Sequence, residues 1–416
     1  MSLTHKFRRL PVAAAVFAAL QAAAAHADTE QTPPPKELPR IAVEGDEDTN
    51  TYRADRAESP KFTEPLLETP QTITIVRKEV IAQQGAASLT DTLRNVPGIT
   101  FQLGENGNTQ SGDTIFMRGF DTQSSIYLDG IRDLGAAVRD VFNVEQVEIF
   151  KGPAGADNGR GATSGYVNLA SKLPTEQDVL ASSVAYGTAD RRRITGDWNH
   201  SIESIDGAAL RLNVMGQQGG VAGRDHLDRD SWAVAPGFAM GLGTPTRFYA
   251  YSQHVHQDNI PDGAVPTVGI ADYVFASPNE AVHGPAVRSE NFYGLDSDFE
   301  NIRANMVTTR VEHDFSQDVT LRNTSRYGLS KQERVLTAPN QAPNVVNPND
   351  PSTWTLNRTR HASFRDNTVI TNQTNLTAKF ATGAIKHSLS SGLEYIYEKQ
   401  FTPTYTGLGT LAPTPL

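Results

Sequence analysis

Two basic residues sit inside sequence that reads as strand: Arg118 in FMRGF at 116–120 and Lys151 in EIFKGP at 148–153. In the run from Thr114 to Phe120, Arg118 shares its parity with Thr114 and Phe116, on a face where a half-buried strand carries apolar or neutral side chains. A buried cation requires an opposing carboxylate, because removing one side of such a pair costs roughly 3–5 kcal/mol. Other polar candidates are loop-borne: Arg132, Asp133 and Arg139 in RDLGAAVRD at 132–140, Asn106 and Asn108 in LGENGNTQSGD at 103–113, Gln123, and Phe292–Tyr293 in NFYG. None of these makes a catalytic frame: no nucleophile elbow, HExxH, P-loop or paired-carboxylate pattern is present, so no enzymatic activity is expected. The glycine-rich GPAGADNGRGATSG at 152–165 lacks the following Gly-Lys-Ser/Thr and runs into a strand, not a helix. His254 and His256 in HVH have no companion ligand spacing, so no metal site is expected.

The elements around these residues fall into distinct textures. Lys6, Arg8 and Arg9 precede the apolar VAAAVFAALQAAAA at 12–25, and Ala25-His26-Ala27 fits signal-peptidase cleavage, so 1–27 reads as a signal peptide. Residues 28–64, rich in Pro, Glu, Asp, Thr and Arg, cannot bury enough surface to offset chain entropy and read as flexible. Within them, Arg40-Ile41-Ala42-Val43-Glu44 could add as a strand to a partner's sheet edge, although a linker also contains such pentamers by chance. Residues 65–174 read as a compact α+β unit: a period-two strand at 71–76, a helix over 78–84, a second over 88–96 capped by Ser88, then short strands at 99–101, 114–120, 125–131, 147–151 and 166–169.

From 175 to 416, alternating segments of about ten residues recur at 179–187, 194–200, 210–217, 232–241, 247–255, 304–315, 319–329, 368–380 and 386–398. Tight turns alternate with long polar connections at 256–301 and 331–366. An outer-membrane barrel gives this pattern; a soluble β-sandwich also alternates, and the export signal with the loop asymmetry favours the barrel. The 416 residues are 38% hydrophobic and carry a formal charge of −10, which argues against nucleic acid as a partner. Cysteine is absent, so thiolate chemistry and disulfides are excluded.

Several motifs, in order, resemble the plug of TonB-dependent outer-membrane receptors: ETPQTITIVRKEVI at 68–81, LTDTLRNVPGI at 89–99, FMRGF, IYLDGIRD at 126–133, VEQVEIFKGPAG at 144–155 and GYVNLASK at 165–172. SPKFTEPL at 59–66, GENGNTQSGD at 104–113, NFYGLDSDFEN at 291–301 and NQTNLTAKF at 372–380 are similar to the branch that takes monomeric catecholates. The resemblance implies an α+β plug domain followed by antiparallel β strands of a 22-stranded outer-membrane β-barrel, incomplete in this chain. It implies a ferric catecholate siderophore as ligand, iron being held by the siderophore and no cofactor bound covalently. TonB, energised by ExbB/ExbD, would engage a TonB box at Arg40, Ile41, Ala42, Val43 and Glu44, in a monomer set in outer-membrane lipid.

An anionic, aromatic ferric complex favours arginine and aromatic side chains. The implied siderophore-binding residues are therefore Arg132, Arg139, Asn106, Asn108, Gln123, Phe292 and Tyr293. Arg118 and Lys151 match the plug cations that lock against wall carboxylates, with Glu394 in GLEY as the expected partner in this chain. The nine strand candidates and the final LAPTPL, without a terminal aromatic, suggest a C-terminally truncated product. The alternative to a transporter portion is then a non-transporting remnant whose exported plug at most binds siderophore or TonB.

Overall fold

The computed structural model describes residues 52–101, 112–133, 135, 137–158, 163–266, 274–276, 281–283, 287–340, 343–347 and 349–416. The N-terminal body opens with β1 (Thr72–Arg77), α1 (Lys78–Gln83) and α2 (Leu89–Leu93). Ser88 caps α2 by accepting the Asp91 N–H at 3.1 Å, and Leu89 and Leu93 on its inner face are fully buried. Short strands follow: β2 (Ile99–Phe101), β3 (Ile115–Met117), β4 (Phe120–Asp121), β5 (Ile126–Leu128) and β6 (Ile131–Arg132). β7 (Val144–Lys151), α3 (Gly155–Asn158) and β8 (Gly165–Ser171) complete the body. One sheet runs β1-β7-β8-β5-β6, in which only β5 and β8 are parallel, and a smaller sheet joins β2, β3 and β4. Ile115, Met117, Ile126, Val147, Ile149 and Val167 interlock with both helices as its core.

The expected single strand at 114–120 is instead a hairpin. Met117 pairs with Phe120, leaving Arg118 and Gly119 as a two-residue turn with φ of 51° and 84°. Both values are positive, as the type I′ turn that matches strand twist requires. Arg118 is thus an exposed turn residue and not a buried cation in a strand. The expected strand at 125–131 is also interrupted, by Asp129 and Gly130 at φ 53° and 78°.

Nine strands then form one antiparallel sheet, the wall: β9 (Val179–Tyr186), β10 (Arg192–Ser201), β11 (Ala209–Val221), β12 (Arg224–Met240), β13 (Thr246–Asn259), β16 (Phe299–Ser316), β17 (Val319–Pro339), β19 (Arg358–Thr382) and β20 (Ile385–Phe401). Small pairs, β14 (Val274–Ala276) with β15 (Ala281–His283) and β18 (Thr355–Leu356) with β21 (Thr414–Pro415), lie outside it. The nine expected segments all fall on these strands. The observed strands extend further, so the expected long connections shrink to 260–298 and 340–357. Those two lie at one end of the wall, and the turns at 241–245, 317–318 and 383–384 lie at the other.

The wall is polar where it is covered and apolar where it is not. Arg211, Asn213, Thr308, Arg310, Thr324, Arg326 and Thr371 are buried, while Trp198, Trp232, Val307, Val311, Phe315, Tyr327 and Ile370 are exposed. The two sets occupy opposite parities of their strands, as in a barrel with a filled lumen and a lipid-facing exterior; a sandwich would bury the apolar set.

At the short-turn end a strap, residues 58–64, ties body to wall. The Glu58 N–H donates to Glu148 Oε1 at 2.6 Å, Phe62 stacks on Phe150 with centroids 4.8 Å apart, and Lys61 Nζ reaches Asn158 Oδ1 at 3.0 Å. Toward the wall, Arg322 Nη1 donates to Glu58 O, Ser390 Oγ to Pro60 O, Ser388 Oγ to Thr63 Oγ1, and Lys379 pairs with Glu64. Glu148 is fully buried, and burial pushes its carboxyl up despite donors from Glu58, Asn168 and Gln146.

Candidate functional site

The 132–140 turn lies between the body and the half of the wall nearer the long loops. Arg132, Asp133 and Arg139 from the body and Asn305, Ser330 and Asn367 from the wall line a cavity of about 80 Å³. The two arginines expected from sequence therefore do line one cavity, and each is already paired. Arg139 Nε donates to Asp133 Oδ2 at 2.8 Å, Nη1 to Asp113 Oδ2 at 3.1 Å, and Nη2 to Gly135 O at 2.8 Å. Against the cost of burial, Asp133 and Asp113 hold this guanidinium charged beyond its ordinary range. Asp113 also accepts the Arg139 N–H and the Thr90 hydroxyl, so the pairing folds the turn onto α2. Arg132 donates to Ser124 O at 2.7 Å and reaches across to Glu398 Oε2 on β20 at 3.2 Å.

The other candidates do not converge on this cavity. Gln123 lies in a 3-10 turn where its N–H donates to Asp121 Oδ1 at 2.8 Å. Tyr293 is buried beneath the loop that precedes β16, its carbonyl accepting from Arg358, and Phe292 is tilted against His226 with centroids 5.8 Å apart. Tyr293 thus packs inside that loop instead of presenting its ring at the mouth. Asn106, Asn108 and the pentamer Arg40–Glu44 lie outside the described residues. His254 bonds Asn305 at 2.8 Å and His256 bonds Asp258 at 2.8 Å while stacking on Trp232.

The lock differs from the expected one. Glu394 is exposed and accepts from Gln373 at 2.8 Å, and no ion pair among the described residues joins it to Arg118 or Lys151. Arg118 sits on an exposed turn. Lys151 is left beside Arg118; burial first, and then this like charge, pushes its ammonium down.

Apart from Arg132–Glu398, the strongest ion pairs between body and wall put carboxylates on the body and arginines on the wall. Asp140 accepts both Nη1 and Nη2 of Arg193 at 2.6 and 2.7 Å. Asp129 Oδ2 accepts Arg326 Nη2 at 2.7 Å, Tyr251 OH at 3.2 Å and Ser171 Oγ at 3.0 Å, while Oδ1 accepts the Ser171 N–H at 2.8 Å. Burial raises the Asp129 carboxyl, but Arg326, Arg310 and the Ser171 N–H outweigh it and hold the group below the usual carboxylate range. Arg326 also donates to Leu128 O and Thr308 Oγ1, and Gln373 and Gln257 donate to Gly130 O and Val138 O. Lys172 with opposite polarity meets Asp197 of β10 at 3.1 Å.

Sequence reasoning passed over Asp129 because it read 125–131 as one continuous strand. The available signal lay in the wall, where Arg310 with Glu312 and Arg322 with Arg326 repeat at even spacing on the inward parity.

Comparison with known proteins agrees with this architecture. Residues 65–166 match the TonB-dependent Receptor Plug Domain. The chain is 45% identical over 354 residues to the catecholate siderophore receptor Fiu of Escherichia coli K12, covering 84% of this chain and 46% of that protein. It is 35% identical over 366 residues to PiuA, a probable TonB-dependent siderophore receptor of Acinetobacter baumannii, covering 87% and 47%. The crystal structure of the closed form of Escherichia coli K12 Fiu superposes with a TM-score of 0.82 at 42% identity, covering 88% of this chain and 52% of that one. The chain thus spans about half the length of the curated relatives it matches. With a plug fold and an inside-out antiparallel wall, the chain carries a TonB-dependent receptor plug domain followed by barrel-type strands and is similar over most of its length to outer-membrane siderophore receptors.

Proposed function

We propose that this chain serves TonB-dependent uptake of ferric catecholate siderophores across the outer membrane. The observation that carries this reading is the similarity to the catecholate receptor Fiu, which runs through plug and wall alike. The arginine-bearing cavity between them supports it, because guanidinium offers an anionic aromatic complex both charge and a flat face. Arg132 is the candidate contact in the described region, with Arg139 holding the turn that presents it. Gln123, Phe292, Asn106 and Asn108 are proposed as further siderophore contacts, with Tyr293 supporting its loop. The siderophore keeps the iron. Arg40 to Glu44 is proposed as the TonB box, pulled by TonB with ExbB/ExbD.

Binding of iron(III)–2,3-dihydroxybenzoate to outer-membrane preparations carrying this chain, followed by tryptophan quenching, tests the reading. Saturable quenching that weakens about tenfold in Arg132→Ala is expected, the size of one lost charge contact. Absence of saturable binding in the unsubstituted protein rejects the ligand class and leaves the non-transporting alternative.

A further inference from the structure

The wall offers the Asp129 carboxylate more donors than it uses. Arg326 and Tyr251 reach it directly, and Arg310 Nη2 donates to the Tyr251 hydroxyl at 3.3 Å. Arg310 is 8% exposed, its guanidinium lies 5.9 Å from the Tyr251 ring centroid, and its Nε has no hydrogen-bond partner. The nearest wall carboxylate to Arg310 is Glu312, at 4.0 Å, and Glu312 is also held by Arg322 at 2.7 Å and Arg247 at 3.3 Å. Arg326 thus has Asp129 of the plug as its ion-pair partner among the described residues, while Arg310, paired at 4.0 Å with a Glu312 that two other arginines share, meets Asp129 only through the Tyr251 hydroxyl. Buried unpaired cations are strongly unfavourable, so the wall demands an anion there whether or not the plug supplies it.

We propose that Arg326, Arg310 and Tyr251 form an anion-binding site of the wall in which Asp129 sits as an internal occupant, and that carboxylate or catecholate oxygens take its place when the plug hairpin withdraws. A guanidinium fork matches two oxygens of a planar anion, and the tyrosine hydroxyl supplies a third donor at the edge of the pair. The exchange needs no net loss of ion pairing at the wall: the ligand's oxygens replace those of Asp129. Only the ligand class rests on the uptake reading; the anion site rests on the geometry alone.

The test uses the whole chain folded in detergent with Asp129→Gly, which removes the carboxylate at a φ of 53° that glycine adopts without strain. In chloride, cleavage of the plug by added protease is expected to be on the order of a hundredfold faster than in the unsubstituted chain, since the Arg326 guanidinium is left without that partner. Acetate at equal ionic strength should restore at least about tenfold of that protection. Adding Arg326→Gln should abolish the acetate effect. Should Asp129→Gly not fold, Asp129→Ser gives the same readout. Equal protection by acetate and chloride overturns the site, as does an acetate effect that survives Arg326→Gln. Replacing acetate with 2,3-dihydroxybenzoate tests the ligand class: protection at lower concentration than acetate is expected, and protection no better than chloride overturns that assignment. Ferric-complex binding to the unsubstituted chain is a separate measurement, so failure of the uptake reading and failure of the wall site are distinguishable.

Discussion

At the residue scale, the buried plug charge that sequence suggests at Arg118 is found at Asp129 instead. The Asp129 side chain is buried among wall donors; Arg118 is exposed. Because the folded Asp129 carboxyl lies below its unfolded value, its contribution to plug docking is present above about pH 3.9 and is lost as pH falls through the lowered folded value. Asp129→Asn is therefore expected to weaken docking at pH 7 by roughly 3–5 kcal/mol and to remove this part of the acid dependence. Hydrogen exchange of plug amides between pH 3 and 7 reads both effects, and a wild-type profile in the variant defeats the assignment. Arg118→Ala should shift the same exchange by no more than about 0.5 kcal/mol, as for an exposed side chain away from any pair. The reason these roles are hard to read is physical. Arg118 keeps strand parity on paper, and only paired positive φ values at 118 and 119 turn the chain there. Asp-Gly at 129–130 is a recognisable turn signal, but the partner of Asp129 lies 197 residues away on another element.

At the element scale, the strap at 58–64 couples the N-terminal approach to both the plug sheet and the wall. Its hydrogen bonds to the wall are exposed and its salt bridge to Lys379 is at the surface, so these contribute little individually. The Phe62–Phe150 stack continues onto Tyr166 at 4.3 Å and is the strap's principal apolar attachment. Phe62→Ala should cost about 1–3 kcal/mol, less than a fully buried phenylalanine because Phe62 is half-buried. Exchange of amides 58–64 should then accelerate about tenfold or more while those of β7 and β8 stay protected. Uniform acceleration across the plug, or none, would show that the strap is not a separable unit. The composition of 28–64 suggests flexibility throughout, and that reading misses the docked strap, because its attachments are made to β7, β17, β19 and β20. By contrast the Ser88 cap and the Leu89–Leu93 face of α2 are local and legible in sequence. The strands run longer than the sequence indicates for a related reason: β19 spans 25 residues, and its N-terminal part carries polar side chains on both faces, which erases the alternation.

At the scale of the whole molecule, the alternation that sequence reveals acquires a direction. Period two alone fits a sandwich as well as a barrel; the buried arginines and exposed aromatics fix which face looks inward. Val307 sits mid-strand on β16, 51% exposed, between inward-facing Met306 and buried Thr308. If its face meets hydrocarbon, an arginine there is penalised by about 2–4 kcal/mol near the bilayer midplane, and by little in water. Val307→Arg should therefore reduce protease-protected insertion into lipid vesicles by roughly thirtyfold or more, while Val307→Leu leaves it unchanged. Thr308→Val, on the opposite face, should act differently: it removes the hydroxyl that accepts from Arg326 Nε at 2.8 Å, loosening the plug without touching the lipid contact. Among the described residues β9 and β20 each have a wall neighbour on one side only, so their other edges carry backbone groups that hydrocarbon cannot satisfy. The vesicle measurement must therefore be made with those edges paired, by strands supplied in the same or a second polypeptide. Under that condition, equal insertion of Val307→Arg and Val307→Leu contradicts a lipid-facing exterior.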